Sequence, residues 1–307
     1  IAIATLRSAA TPLAMRTRPV DLVIPVGRFP ADLVSGGGYL WVANRESNSL
    51  TRIRASDGMV TGTFPVGDWP MALAWDGNFV WVSNHKWLPG DYSTVMKVDP
   101  ADGRVIGTYR VPGQPMYIVA DASFLWVAET WPTYMLRKLR LSDGAEVAAF
   151  TAGGVPRQAA TDGESVWVAN GPIQSVTKLR ASDGKVVAAR SVAGAPNSVQ
   201  RIGEFVWVND NAATAAVWKL RADDLTVVAR FVVPGSLAQT VSERWFFIGE
   251  PGHIVQRRTH DGRVVATWAG GPKPTAITLE GANLWTADAE TNSVSMISGQ
   301  RLADADR

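Results

Sequence analysis

The 307 residues contain no cysteine, which excludes disulfides, thiolate metal sites and a cysteine nucleophile. That absence fits either side of a membrane. No stretch approaches the ~20 consecutive apolar residues that a membrane-spanning helix requires. Neither sign of charge dominates: 30 Lys and Arg against 28 Asp and Glu leave +2, too little to announce a polyanion-binding surface. Histidine occurs only as His85, His253 and His260, and no two share a metal-ligand spacing such as H-x-x-x-H. Neither a P-loop nor a dinucleotide fingerprint stands in a strand–helix context. Catalysis therefore has little to build on, and no cofactor is expected.

Against these absences stands one abundance, 13 tryptophans, six of which belong to a repeated phrase. Trp41-Val42-Ala43-Asn44 returns as Trp81-Val82-Ser83-Asn84, Trp126-Val127-Ala128-Glu129, Trp167-Val168-Ala169-Asn170 and Trp207-Val208-Asn209-Asp210. It fades to Phe247-Ile248-Gly249-Glu250 and ends as Trp285-Thr286-Ala287-Asp288. The aromatic positions are 40, 45, 41, 40, 40 and 38 residues apart. A period near forty built from short strands and Gly-marked turns predicts an all-β, seven-bladed β-propeller, one four-stranded antiparallel blade per repeat.

Within the second repeat, Met71 to Trp75 reads as strand a and Phe79 to Ser83 as strand b. Thr94 to Val98 reads as strand c and Val105 to Val111 as strand d. Asp-Gly turns join c to d, as at Asp57-Gly58, Asp102-Gly103, Asp143-Gly144, Asp183-Gly184 and Asp261-Gly262. A Gly-x-x-Pro or Gly-x-Pro link carries d into the next a at Gly27, Gly67, Gly113, Gly154, Gly194 and Gly271. The seventh repeat runs out after strand c. Val20 to Gly27 matches Val60 to Gly67 in pattern, so the N-terminal strand is expected to complete the last blade and hide its unpaired edge. The domain reading is a leader or linker over 1–19, disordered or extended, a propeller over 20–298 and a polar tail over 299–307. For a chain that starts at Ile1, the end of a removed signal or of a membrane anchor preceding Ile1 stays open beside a simple leader.

Leu40 to Asn44, with Asn48-Ser49-Leu50, Asp57-Gly58 and Val66-Gly67-x-x-Pro70, closely resembles the YVTN family of propeller repeats. It is also similar to NHL-type and streptogramin-lyase-like propellers. The resemblance implies a seven-bladed fold, commonly bacterial and extracytoplasmic (periplasmic, secreted or membrane-tethered), that engages a protein partner or small ligand on one face.

That face should gather the b–c loops and d–a links around the channel mouth. The aromatics Phe29, Trp69, Trp87, Tyr92, Tyr117, Trp131 and Tyr134 fall there on the first three blades, in loops of the kind where binding develops. Around the start of strand a, Arg28, Asp32, Arg157, Gln158, Asn197 and Lys273 differ from blade to blade and break the internal symmetry; Arg157 suits a carboxylate or phosphate. Asp210, Glu250 and Asp288 end strand b on successive blades: they are either Asx-type strand ends or an oxygen-rich cation site. The main expectation is a binding or scaffold propeller without catalysis. The alternative is a streptogramin-lyase-like or other small-molecule enzyme, a lyase or hydrolase, using Glu250 and His253; the second mouth histidine of those lyases is missing. Paired cations on strand c, as in Arg52-Ile53-Arg54 and Lys138-Leu139-Arg140, should cover the space between blades and pair with acids rather than hold nucleic acid.

Overall fold

The computed structural model describes residues 17–86, 92–210, 215–233 and 238–306. Among these described residues, twenty-eight strands form seven four-stranded antiparallel sheets in a ring. Blade 2 is typical: Pro70–Trp75 (a), Val80–Asn84 (b), Ser93–Val98 (c) and Val105–Val111 (d). Blade 7 takes strands a to c from Pro274–Glu280, Asn283–Asp288 and Ser293–Ile297. Its strand d is Leu22–Pro25, paired antiparallel with strand c from Leu22 opposite Met296 to Pro25 opposite Ser293. The ring closes as the repeat pattern requires. Blade 1 confirms the equivalence, because its c–d turn packs Gly58 against Leu22 and Ile24 of the borrowed strand.

The anchors are core. Trp41, Trp81, Trp126, Trp167, Trp207, Phe247 and Trp285 are each at most 2% exposed. Burial of ~150–200 Å² at ~25 cal/mol per Å² contributes roughly 4–5 kcal/mol each before entropy opposes it. The strand-c cations divide the roles expected of them. The first of each pair lies over an anchor, as Lys138 does over Trp126 at 5.0 Å and Phe124 at 3.8 Å. Its ammonium then donates to the c–d turn of the next blade: Lys97 to the Leu141 carbonyl, Lys138 to Ala181, Lys178 to Asp223. The second pairs with the acid of its own turn, as in Arg54–Asp57, Arg140–Asp143 and Arg180–Asp183. Cations thus staple each of blades 1 to 4 to the following blade through carbonyls.

Blade 7 has no c–d hairpin, since its strand d comes from elsewhere in the chain. The C-terminal segment fills that place. A short helix, Gly299–Asp304, buries Leu302 completely beside Phe247 and Trp268. Gln256, standing where other blades carry the cation, donates to the Leu302 carbonyl at 3.1 Å. Asp306 then binds Arg258 and Arg244 at 2.6 and 3.0 Å and accepts from the Trp245 indole. Polar composition alone suggested a tail; the docked helix supplies a missing turn.

Candidate functional site

The mouth is where b–c loops meet d–a links. The Arg45 amide donates to the Phe29 carbonyl, His85 to Trp69, and Gln114 to Trp131. The link glycines have a common cause at this rim. A Cβ on Gly27, Gly67 or Gly194 would lie 2.6, 2.8 or 2.5 Å from the side-chain carbon of Asn44, Asn84 or Asp210. The link therefore lies flat on the residue that ends strand b, and only glycine permits that approach.

Those strand-end residues are occupied by this rim. Asn44 donates to Ser49 and Thr51, Asn84 to Thr94, and Asn170 to Thr177 and the Ala152 carbonyl. Glu129 accepts from Gly113 and Thr133 and forms a 2.7 Å ion pair with the buried Arg137. The trio Asp210, Glu250 and Asp288 does not converge as a cation site: among the described residues no three His, Cys, Asp or Glu side chains could hold one ion. Asp210 accepts from the Trp218 indole at 2.9 Å. Asp288 accepts from the amides of Lys273, Glu290 and Thr291 in the Asx-type arrangement. Glu250 and His253 are cross-strand partners at a hairpin tip. Burial pushes the Glu250 carboxyl up, against the pull of Arg257 and His253.

The predicted mouth aromatics separate into three groups. Phe29 and Trp69 sit at φ of 54° and 50°, a left-handed conformation uncommon for bulky residues. Their amides are fixed by Asn292 and Asn48, and their rings sandwich the Arg45 guanidinium at 4.3 and 4.5 Å. They are rim-packing residues. Tyr117 lies in the channel wall, on strand a of blade 3 (Pro115–Ala120). Tyr92, Trp131 and Tyr134 alone stand in solvent, at 58%, 62% and 40% exposure. Trp87 lies outside the described residues.

Inside the mouth the channel forms a cavity of about 350 Å³ walled by the strands a. The a–b register slips just after the link proline in six blades, between Pro156 and Gln158 for example. Each slip leaves one bulged residue, and all six bulged residues (Ala31, Met71, Met116, Arg157, Asn197 and Thr275) line the cavity. Arg157 is thus aimed into the channel by its position after a proline.

Strand a is the inner edge of each sheet, so its outward amides need partners. Three side chains supply them across seams: Asp32 accepts from Leu73, Gln158 from Val199 and Gln200 from Val241, at 2.8, 2.7 and 3.0 Å. Asp32 also accepts from Leu33. Hemmed in by protein, its carboxyl is pushed up to about 7 by burial, and the two amide bonds only partly oppose this. Tyr117 is pushed up by burial and by the Asp32 charge, against its hydrogen bond with Gln158. A carboxyl that exchanges its proton near neutrality therefore faces the lumen. The sequence marked Asp32, Arg157, Gln158 and Asn197 as breaks in the internal symmetry. It did not mark Gln239, a lumen residue of blade 6.

No family model matches the chain, and no curated protein matches it. Solved structures do. The β-propeller domain of Cps50 (Swd1) from Myceliophteria thermophila superposes with a TM-score of 0.77 at 12% identity, over 90% of this chain and 98% of that one. Kuenenia stuttgartiensis hydrazine synthase gives 0.70 at 18%, over 94% and 99%. BamB from Moraxella catarrhalis gives 0.68 at 11%, over 90% and 98%. At such identities the likeness is one of fold: the chain is a seven-bladed β-propeller.

Proposed function

We propose that the chain is a non-catalytic binding propeller that engages a protein partner on its mouth face, at blades 2 and 3. The observation that carries this reading is the exposure of three aromatic rings on neighbouring b–c loops. Trp131 is 62% exposed, with Tyr134 on the same loop and Tyr92 on the adjacent blade. Every anchor aromatic is accounted for by packing between blades; these three have no such role. Large rings left in water supply contact area at low entropic cost and are enriched where proteins meet. Arg110 lies 4.9 Å from the Tyr92 ring, which adds a cation to the same edge of the face. The resemblance to YVTN repeats supports both a binding role and an extracytoplasmic setting.

The test is quantitative affinity capture from cells that express the chain, comparing the parent with the combined Tyr92→Ala, Trp131→Ala, Tyr134→Ala variant. A partner should be lost by about tenfold or more while the melting temperature stays unchanged. An identical captured set would overturn the assignment. Fractionation of the same cells tests the setting.

A further inference from the structure

Seven seams between blades share one set of inner positions, so each can be compared with the other six. On strand a, the residue registered opposite the one that follows the anchor is Leu33, Leu73, Ile118, Ala159, Val199 or Ile277. In blade 6 it is Gln239, opposite Ile248. The apolar six are buried and cluster with the preceding blade, Leu33 with Ala276 and Ala287 and Val199 with Ala169. Gln239 takes that place at 6% exposure, and neither its amide oxygen nor its amide nitrogen has a hydrogen-bond partner among the described residues.

The equivalent neighbours on the preceding blade are also polar. Ser198 and Asn209, a cross-strand pair, stand where the seam between blades 7 and 1 has Ala276 and Ala287. The Ser198 hydroxyl has no partner among the described residues either. Gln239, Ser198 and Asn209 all line the cavity. A buried amide without a partner disfavours folding where leucine would favour it, and few such groups persist in native proteins. Arg157 lines the same cavity, and among the described residues it has no acid within ion-pairing distance.

We propose that the channel binds a small carboxylic acid bearing hydroxyl or amino groups, its carboxylate held by Arg157 and its other polar groups by Gln239 and Ser198. A guanidinium presents a planar fork that matches a carboxylate. The Gln239 amide supplies both a donor and an acceptor, as a hydroxyl ligand needs. Asp32 lies in the same cavity, which favours a ligand that carries donors and disfavours a dianion such as phosphate. The volume of about 350 Å³ suits a metabolite-sized molecule rather than a polymer. These residues are separate from Tyr92, Trp131 and Tyr134, so this site and the mouth face stand or fall independently.

Ligand-observed NMR on the whole chain tests the site, with lactate, gluconate, glucuronate and glutamate as probes and glycerol and inorganic phosphate as controls. At least one acid should bind, and both Arg157→Gln and Gln239→Leu should weaken it about 10- to 100-fold. Gln239→Leu should melt at or above the parent temperature, so that lost binding is not lost folding. The proposal is overturned if no acid binds at millimolar concentration or if both variants bind as the parent does. It is equally overturned if only glycerol or phosphate binds. A lower melting temperature for Gln239→Leu would make the amide part of a water-filled structural seam and also overturns it.

Discussion

The seam between blades 7 and 1 and the seam between blades 5 and 6 are built on the same register and filled with opposite chemistry. The first joins the two ends of the chain, and Ile24, Leu33, Ala276, Ala287 and Trp285 fill it with an apolar cluster. The second joins consecutive segments and carries Ser198, Asn209 and Gln239 at its inner positions. The link through Gly27 carries the borrowed strand of blade 7 directly into blade 1, so chain continuity does not set the two seams apart; the residues at equivalent positions do. Repeated residues therefore report the ring, and departures from the repeat report what the ring is for.

The comparison can be broken most severely at the closure. Deleting residues 20–26 removes the four-residue pairing of Leu22–Pro25 with strand c and takes the buried Ile24 out of its cluster with Leu33 and Trp285; calorimetry should show no cooperative transition at the parent temperature. Deleting 299–307 should leave a cooperative transition but lower stability by ~2–4 kcal/mol, through loss of the buried Leu302 and the Asp306 ion pairs. Trp126→Ala, within an ordinary seam, should cost ~3–5 kcal/mol in urea unfolding.

Asp32 gives a smaller and pH-dependent effect. Its folded carboxyl is raised to about 7 from an ordinary 3.8, so the folded state holds a proton that the unfolded chain releases. The favourable contribution is fully present below about pH 4, declines as pH rises, and is gone above about 7. It is at most on the order of 4 kcal/mol. Stability of the parent relative to Asp32→Asn, measured from pH 3 to 8, should fall across that window; a flat difference would contradict the assignment.

The ring was legible because packing repeats. Val20 to Gly27 matches Val60 to Gly67, and that match alone identified the closing strand, later seen opposite Ser293 to Met296. Other features need contacts between residues far apart in the chain. Gly27 is glycine because the Asn44 side chain lies on it, and Leu302 looks isolated in a polar tail until blade 7 is seen to lack a turn. Gln239 escaped notice because blade 6 lacks the link proline that marks the start of strand a elsewhere. Phe29 and Trp69 read as binding aromatics because their loops lie at the mouth. Only coordinates reveal the Arg45 guanidinium between them.

Paired thermal unfolding of Leu33→Gln and Gln239→Leu addresses the central comparison most directly, since the two substitutions exchange the chemistry of equivalent positions. Leu33→Gln should lose ~2–4 kcal/mol, whereas Gln239→Leu should hold or gain stability. Comparable losses from both would mean that the two seams are equally dependent on the residues they carry, and that the amide in blade 6 serves the fold.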